Sequence, residues 1–588
     1  MAGLRRAVRT SGDATSPSGG WRDRLAVWRA ARVTAAQGFV SQPEPRTIGL
    51  FARGRQMLAG NFRFAGQVIE APGLSIWDIA APTPGFADDM HGFGWLDDLA
   101  AVGDTAARAR AQDWTWEWFR RFGPGRGPGW TPDLTGRRLI RWINHAFLLL
   151  AARSPAEQEE YFRVLTTQTV FLSRRWHEAT PGLPRFEALT GMISAGLALT
   201  GLEPLVSTAV AALAADCRRG IDADGGIPTR NPEELLEVFT LLTWASRALA
   251  EAGRIAPPDL QAAIERIAPT LRALRHADGG LARFHGGGRG MEGRLDQALA
   301  TAGVRSFAQT GLAMGFARMT GGRSSVIVDA AAPPEGPASL RAHASTNAFE
   351  LTSGRRPLVV SCGSGRPFGE EWQRAGRATP SHSTLAVDGF SSSRLASEGP
   401  EELSDRAQVT VARVIPGENG TLLHLAHAGW VLTHGLSHVR DLALSTDGRR
   451  LSGIDKLSAL TTAEKRRFER LMTDGRLAGV TFALRFHLHP DVDAELDLGG
   501  AAVSLALKSG EIWVFRHDGS AVLSLDPSVY LEKARLRPRA TRQIVLTATA
   551  TDFETRLGWT LAKAQDTPLA IRDLEREDLP LVQGRVPT

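Results

Sequence analysis

Hydrophobic residues follow different periodicities in the two halves of the chain. From Trp95 to about Arg318 they recur three or four positions apart, as in 235–242, which is the spacing of one face of an α-helix. Breaks that contain glycine, such as 224–226, divide this half into segments of helical-hairpin length. The first half is therefore predicted to be stacked antiparallel helices, with loops that surround a cleft at one end.

After Arg323 the hydrophobic runs become short and alternate with polar residues, as in 358–360 and 480–486. Turn signals such as Asp447 with Gly448 separate these runs, as β-hairpins require. The second half is therefore predicted to be an antiparallel β-sandwich.

The composition agrees with a globular protein of more than one domain. A chain of 588 residues is too long for one hydrophobic core, and 43% hydrophobic with 22% charged residues is typical of globular proteins. Its two cysteines, Cys217 and Cys362, lie far apart in sequence. This arrangement predicts no disulfide framework and fits a reducing compartment.

The N-terminal residues give an expectation about location. The first thirty residues carry several arginines but no apolar run, so they do not predict a secretory signal. No apolar segment reaches the roughly 18 residues that cross a bilayer. We therefore expect no transmembrane segment and a cytoplasmic location, with the periplasm as the alternative.

The charge favours anionic partners. The net charge is +6 and the isoelectric point is near 9.8, which fits an acidic glycan, a nucleic acid or a lipid surface. No recognised nucleic-acid motif or dense basic run accompanies this charge, so nucleic acid is not expected as a partner. The sequence gives no indication of the oligomeric state.

Three segments of the second half, at 341–351, 358–363 and 377–389, resemble the sandwich domain of heparinase II/III-like polysaccharide lyases. Weaker similarity, as at 142–145, extends into the helical half. The resemblance implies an α+β multidomain fold, in which an N-terminal α/α toroid, an incomplete helical barrel, precedes a C-terminal antiparallel β-sandwich. The predicted divisions are a basic, disordered arm at 1–40, a lead-in segment at 41–94, the toroid at 95–320 and the sandwich at 321–588.

The resemblance also implies a chemistry. Lyases of this family cleave uronate-containing glycans by β-elimination, in which a cation or hydrogen-bond donors must meet the negative charge that develops on the uronate carboxylate. A base removes the C5 proton, and a Tyr or His protonates the departing oxygen. The candidate catalytic residues are His343, His382, Arg341, Arg230 and Arg185. The candidate substrate-binding residues are Asn231, His285, Arg289 and Arg377.

The sequence also departs from the family pattern. Its only tyrosines, Tyr161 and Tyr530, do not stand in a motif that matches the family's catalytic tyrosine, and the family's helical Asn-His pair is not kept near 185–188. Two functions therefore remain open. The first is a carbon–oxygen lyase that cleaves an acidic glycan. The alternative is a non-cleaving protein on a lyase scaffold that binds an anionic glycan or envelope component.

A metal site is a further expectation from the resemblance. His343 and His382 resemble the family's sandwich metal ligands, and Cys362 is close to the position of the third ligand. Two imidazoles and a thiolate suit tetrahedral Zn²⁺, whereas the alternative for Cys362 is a buried, inert side chain. No organic cofactor is expected.

Three local roles complete the sequence-based expectations. Asn231 is predicted to cap the helix that Pro232 begins. The glycine-rich run 285–290 is expected to form a flexible loop that borders the cleft. The arginines expected to converge on a positive cleft between the two halves are Arg185, Arg230, Arg289 and Arg341.

Overall fold

The structure is a computed structural model, and it describes residues 21–304, 311–398, 401–474, 478–533 and 535–566. The first twenty residues of the predicted N-terminal arm lie outside the described residues. The described chain forms two compact units and passes between them three times. The first unit holds 21–220 and 240–262, and the second holds 221–239 and the described residues from 263 onward.

The first unit is mainly helical and contains one short hairpin, formed by β1 and β2. Helices α11 and α12 continue from one unit into the other. The elements are α1 Trp21–Ala30, α2 Phe51–Leu58, β1 Asn61–Phe64, β2 Gln67–Glu70, α3 Pro84–His91, α4 Gly94–Val102, α5 Thr105–Phe122, α6 Pro132–Asn144, α7 Ala146–Leu150, α8 Pro155–Arg175, α9 Leu183–Ala198, α10 Pro204–Gly220, α11 Pro232–Glu251 and α12 Pro258–Ala273.

Glycines let two of these helices approach closely. A Cβ atom at Gly136 of α6 would lie 2.3 Å from the carbonyl oxygen of Glu187 in α9, and one at Gly191 would lie 2.4 Å from Gly136 Cα. Any larger residue at either position would push the helices apart. Indole and phenyl rings then fill the space around the helices, including Phe93, Trp95, Trp114, Trp118 and Trp142, all of them buried. The tryptophans of this cluster therefore pack the core.

Helix α1 lies within the segment expected to be a disordered arm, and here that expectation was wrong. Its apolar side buries Ala26, Val27 and Ala30 in contact with α8. Arg175 of α8 also forms a salt bridge of 2.7 Å with Asp23. The arginines of this segment suggested a solvated chain, but the apolar residues between them have a helical spacing that gives the helix a buried face.

After the parts of α11 and α12 that belong to it, the second unit continues with α13 and the sheets. Helices α14, α15 and α16 stand between strands. The elements are α13 Arg294–Ala302, β3 Phe316–Gly321, β4 Ser324–Asp329, β5 Phe349–Ser353, β6 Arg356–Val360, α14 Glu370–Arg377, β7 Leu385–Val387, β8 Arg394–Leu395, β9 Leu403–Asp405, β10 Val409–Gly417, β11 Gly420–Trp430, α15 Val431–His434, β12 Leu436–Ser445, β13 Arg450–Ser458, α16 Thr462–Asp474, β14 Val480–Leu488, β15 Val492–Asp497, β16 Ala502–Leu507, β17 Ile512–His517, β18 Val522–Tyr530, β19 Arg539–Ala550 and β20 Glu554–Gln565.

Two eight-stranded antiparallel sheets form the sandwich. Sheet A has the order β18-β19-β14-β6-β5-β4-β3, with β7 paired to β14, and sheet B has the order β10-β11-β12-β13-β20-β17-β16-β15. Side chains from both sheets share one core, in which Phe349 of sheet A stacks on Trp559 of sheet B with ring centroids 5.8 Å apart. The predicted order, helices followed by an antiparallel sandwich, is confirmed.

The change from helix to strand falls between Ala302 and Phe316, close to the predicted division at 320. The compact units do not follow that division, because 221–239 and the helical residues from 263 belong with the sheets. Whether the predicted toroid at 95–320 and sandwich at 321–588 fold as separate units remains a prediction.

Candidate functional site

The residues of the strongest sequence motifs meet in a buried group within the second unit. Asp329 lies at the end of β4, and the loop residues around it come from four separate parts of the chain. We call this group the Asp329 cluster. Its members are Arg230, His285, Asp329, His343, Ser345 and His382.

Arg230 is fixed by contacts inside the unit. Its Nε donates to the carbonyl of Met314, its Nη1 to two carbonyls at 331–332, and its Nη2 to the carbonyl of Gly315 and to Asp329 Oδ1 at 2.6 Å. All five donors of the guanidinium are therefore used. The prediction that Arg230 binds a substrate carboxylate was wrong, because no donor remains for a ligand.

Asp329 is the anionic centre of the cluster. Its Oδ2 accepts a hydrogen bond of 2.7 Å from the Ser345 hydroxyl, and His285 Nε2 lies 3.3 Å away. Burial alone would raise the pKa of Asp329, but the charges of Arg230 and His285 and the hydrogen bonds that it accepts hold that pKa well below its ordinary value. Asp329 therefore stays ionised and keeps Arg230 in place.

Three histidines extend from this carboxylate. The backbone N–H of His343 donates to His285 Nδ1 at 3.2 Å, and the N–H of Gly286 donates to His343 Nε2 at 3.0 Å. The rings of His343 and His382 lie side by side with centroids 5.0 Å apart, as the sequence predicted. His343 Nδ1 and both ring nitrogens of His382 are buried and make no hydrogen bond.

Burial sets the charge of these rings. It lowers the pKa of His382 to about 3, with the neighbouring His487 and His285 adding to the effect, and it holds the pKa of His343 well below the ordinary value. Both imidazoles are therefore neutral at neutral pH. A neutral imidazole can accept a proton, but it cannot supply the positive charge that a uronate carboxylate requires.

The geometry does not fit the predicted zinc ligands. Cys362 Sγ lies 3.5 Å from His487 Nδ1 and 3.9 Å from Ser528 Oγ, so the thiol interacts with those residues. Among the residues that the structure describes, no group of three or more His, Cys, Asp or Glu could hold a metal ion. Burial would raise the pKa of Cys362, but His487, Ser528 and Arg283 outweigh it and lower that pKa. The donors at His343, Cys362 and His382 do not form a zinc site here.

Asn231 has the predicted structural role. Its Oδ1 accepts hydrogen bonds of 3.0 and 3.2 Å from the backbone N–H groups of Glu233 and Glu234, at the start of α11. The predicted helix cap is confirmed, and the amide oxygen is occupied by it. A substrate-binding role for Asn231 therefore has no support from its contacts.

Arg377 also has a structural role. It is buried, and it donates from Nε to the carbonyl of Ala342 and from Nη2 to the carbonyls of Ser339 and Glu401. These bonds hold the loop before β5 against α14. These contacts give no support to the predicted substrate-binding role of Arg377, which stays a prediction.

The glycine-rich loop directs its N–H groups into the protein. Gly286 donates to His343, Gly287 donates to the carbonyl of Phe284 at 2.9 Å, and Gly288 donates to Glu233 Oε2 at 2.8 Å. His285 of this loop is fully buried. The loop supports the Asp329 cluster and does not present a row of free donors to a ligand.

The remaining candidate arginines belong to different units. Arg185 lies in the first unit, donates to the carbonyls of Ala179 and His177, and is 3.9 Å from Asp216. In the second unit, Arg289 pairs with Asp278 at 3.4 Å, and Arg341 is exposed. Convergence of the arginines on one cleft remains a prediction.

Neither tyrosine is a ready proton donor. Tyr161 is buried and donates to the carbonyl of Trp142 at 2.7 Å. The guanidinium of Arg283 lies 3.9 Å from the ring centroid of Tyr530, and burial raises the pKa of that phenol to about 12. No catalytic acid is therefore evident at either position.

The sequence analysis did not assign a second buried group, which we call the Asp455 cluster. Asp455 Oδ1 accepts hydrogen bonds from Arg440 Nε at 2.6 Å and from His438 Nε2 at 2.7 Å, and Oδ2 accepts one from Trp559 Nε1 at 2.8 Å. His427 joins through its Nε2, 3.2 Å from His438 Nδ1. The sequence signal that could have indicated this cluster is the spacing of His438 and Arg440, which are two residues apart and therefore lie on the same face of one strand.

Asp329 and Ser345 were also missed as members of a site. The signal for Asp329 was a carboxylate at the last position of the buried strand 324–329. Ser345 carried no separate signal, because its role depends on a partner sixteen residues away on another element.

Antiparallel sandwich strands that carry these motif residues, preceded by a helical toroid, define the class of heparinase-like polysaccharide lyase folds. The chain belongs to the heparinase II/III-like family. Residues 305–560 match the family model described as heparinase II/III-like, C-terminal. The chain is also 32% identical over 580 residues to the FtsZ-localized protein C of Caulobacter vibrioides. The alignment covers 92% of this chain and 96% of that protein.

Solved structures share the fold. Heparinase III matches with a TM-score of 0.64 at 12% identity, covering 92% of this chain and 89% of that one. A mutant of the heparan sulfate lyase HepC from Pedobacter heparinus matches with a TM-score of 0.57 at 15% identity, covering 93% and 88%. At these identities the likeness concerns the fold alone. Among the described helices, none has the length and apolar character needed to span a membrane.

Proposed function

We propose that this chain is a non-cleaving protein on a polysaccharide lyase scaffold, that it binds an acidic glycan or another anionic envelope component, and that it localises with FtsZ. The last part follows the name of the Caulobacter vibrioides relative, which is similar to this chain over 92% of its length. The glycan class follows the family and the positive net charge.

The observation that carries the proposal is the internal use of the Asp329 cluster. β-Elimination requires a cation or strong donors at the uronate carboxylate, a base at C5 and an acid at the leaving oxygen. Arg230 has no free donor, and His343 and His382 are neutral and buried. Because these residues are used to support the fold, they do not supply the groups that β-elimination requires. This favours binding over bond cleavage.

A second candidate, the lyase, is favoured by one observation. His343 Nδ1 and both nitrogens of His382 have no hydrogen-bond partner although they are buried. A neutral imidazole with a free lone pair is the form that removes a proton. If substrate can reach these rings, they are the candidate base.

Glycan incubation separates the two functions. The full chain is incubated with heparan sulfate, hyaluronan and alginate, and the absorbance of new unsaturated uronate is followed, with heparinase III as the positive control. We expect no increase with this chain. An increase that the His382→Ala variant loses would overturn the non-cleaving proposal.

Binding and location need their own measurements. Glycan affinity is measured by calorimetry with the same polysaccharides, and we expect binding that weakens as salt is added. A fluorescent fusion of the full chain is imaged together with labelled FtsZ, and we expect the two to coincide. The same fusion tests the predicted cytoplasmic location. Absence of binding to every acidic glycan, or a fusion that never coincides with FtsZ, would contradict the corresponding part.

A further inference from the structure

The outer face of sheet B contains a groove whose lining residues lie outside the three family-like segments at 341–351, 358–363 and 377–389. Its volume is about 770 Å³, which is within the range of pockets that hold ligands. It crosses the strands β10, β11, β12, β13, β20 and β17. None of its lining residues was a candidate site residue.

Strand register explains why a groove forms there. Leu422 pairs with Ala443, Ala443 with Ser452, Ser452 with Thr560, and Thr560 with Arg516. Paired residues share a face of the sheet, so these five side chains form one row across the strands. The three central members of the row are small. The row therefore has an aliphatic end, a low middle and a cationic end.

The neighbouring row lowers the floor further. In it, Ile454 pairs with Gly558, which has no side chain, and Ile454 also pairs with Asp441. A Cβ atom at Gly558 would lie 2.8 Å from a carboxylate oxygen of Asp518. The glycine thus keeps the floor open and lets that carboxylate approach the strand.

The acids of the groove already have partners within the protein. Asp441 Oδ1 is 2.5 Å from His424 Nδ1. Asp518 accepts hydrogen bonds from the N–H groups of Gly558 at 2.6 Å and Ser520 at 3.1 Å. Such contacts satisfy the carboxylates and reduce their repulsion of an anionic ligand.

The cations of the groove are not used in the same way. Arg516 and Arg556 are exposed. Among the described residues neither guanidinium forms a hydrogen bond or a salt bridge, although the charge of Arg516 also acts on Asp497. At the other end, Ile415 is 46% exposed and Leu422 is 49% exposed. The groove therefore offers positive charge and aliphatic surface together.

We propose that this groove binds an acidic peptide segment that carries aliphatic side chains. Its carboxylates would pair with Arg516 and Arg556, and its aliphatic side chains would cover Ile415 and Leu422. Glycans are a poorer fit, because sugar rings stack on exposed aromatic faces and the ring of Trp559 is 2% exposed. The proposal is independent of the glycan function, because it concerns different residues on the outer face of one sheet.

Fluorescence anisotropy of a labelled peptide tests the proposal with the full chain. The probe is a short fluorescein-labelled peptide in which Glu and Leu alternate, and two matched peptides replace Glu by Lys or Leu by Ser. We expect only the Glu–Leu peptide to bind. The Arg516→Glu/Arg556→Glu variant is expected to weaken binding by about ten-fold to a hundred-fold per lost charged hydrogen bond.

A matched charge control and a blocking variant make the test specific. Arg542→Glu reverses the charge of another exposed arginine, on β19 of sheet A, and should leave the affinity unchanged. Ser452→Trp places a large ring on the low middle of the groove and should abolish binding, while circular dichroism confirms that the sheets are formed. Equal affinity in wild type, the double arginine variant and Ser452→Trp would overturn the proposal.

Other occupants are distinguished in the same experiment. Hyaluronan oligosaccharides and phosphatidylglycerol vesicles are used as competitors of the labelled peptide. We expect neither to displace it at concentrations where the unlabelled Glu–Leu peptide does. If the oligosaccharide or the vesicle binds through Arg516 and Arg556 and the peptide does not bind, the peptide assignment is wrong.

Discussion

The Asp329 cluster and the Asp455 cluster contain the same kinds of residue but differ in how completely the ring nitrogens of their histidines are paired. In the Asp455 cluster both ring nitrogens of His438 and of His427 have hydrogen-bond partners. In the Asp329 cluster His382 has none, and His343 has one free nitrogen. The difference lies in the histidines, since each carboxylate is bonded to an arginine.

The positions of the two clusters explain this difference. The Asp455 cluster lies on β11, β12, β13 and β20, where strand pairing fixes the distance between side chains. The Asp329 cluster is drawn mostly from loops, which can place polar atoms without pairing them. A buried polar atom without a partner calls for an explanation, and a function that uses the ring nitrogens of His382 and His343 would supply one.

Removal of either carboxylate should have the largest effect. Asp455→Ala and Asp329→Ala each leave a buried arginine without its anion, and each is expected to lower the free energy of unfolding by about 3–5 kcal/mol. Urea unfolding of the full chain measures this. Asp405→Ala, which removes an exposed partner of Arg394, is the control and should change it by less than about 1 kcal/mol. If Asp329→Ala matched the control, the two clusters would not share a structural role.

Removal of one histidine from each cluster should change the free energy of unfolding by different amounts. His438→Leu removes one of the three side-chain donors of Asp455 and the partner of His427 Nε2. We therefore expect a loss of about 1–3 kcal/mol in the free energy of unfolding. His382→Leu breaks no side-chain hydrogen bond and should change it by less than about 1 kcal/mol. Urea titration of both variants measures the difference. Equal losses would show that His382 has partners in solution and would remove the contrast between the clusters.

The pH dependence of stability gives a smaller effect that concerns His382 alone. Its pKa is about 3 in the folded protein and 6.5 ordinarily, so the unfolded chain takes up the proton first as the pH falls. Its contribution to stability is complete above about pH 6.5 and is lost as the pH falls toward 3, by about 1.4 kcal/mol per pH unit. Relative to wild type, His382→Leu should therefore lose about 2 kcal/mol less between pH 6.5 and pH 5. Urea unfolding at both pH values tests this, and equal losses would contradict burial of a neutral ring.

Patterns along the chain predicted the elements and several local contacts. Alternation and turn residues predicted the sandwich strands, and the order Asn231, Pro232 predicted a helix cap that the structure confirms. The proximity of His343 and His382 followed from the family motif. These features depend on neighbours in sequence or on strand pairing, which leave a periodic signal.

The side-chain partners could not be predicted in the same way. Arg230 bonds to carbonyls near residues 315 and 331, and a backbone carbonyl has no signature in the sequence. Cys362 meets His487, which lies 125 positions further along the chain on β14. A histidine or arginine in a motif therefore indicates a buried polar region, but only the fold decides whether its polar atoms face a ligand or the protein.

The passage of the chain between the units has a consequence for biosynthesis. Domains generally fold as they leave the ribosome, beginning with the N-terminal one. Here the described part of the first unit ends at residue 262, and by the time that residue has emerged, 221–239, which carries Arg230, has already been made. That arginine must wait for Asp329 before its charge is paired, so the nascent chain holds an unmatched cation through the synthesis of about a hundred residues. A truncated gene that ends near residue 220 would therefore produce a first unit without 240–262. One that begins near residue 320 would produce a second unit without 221–239 and without the residues from 263 to 319.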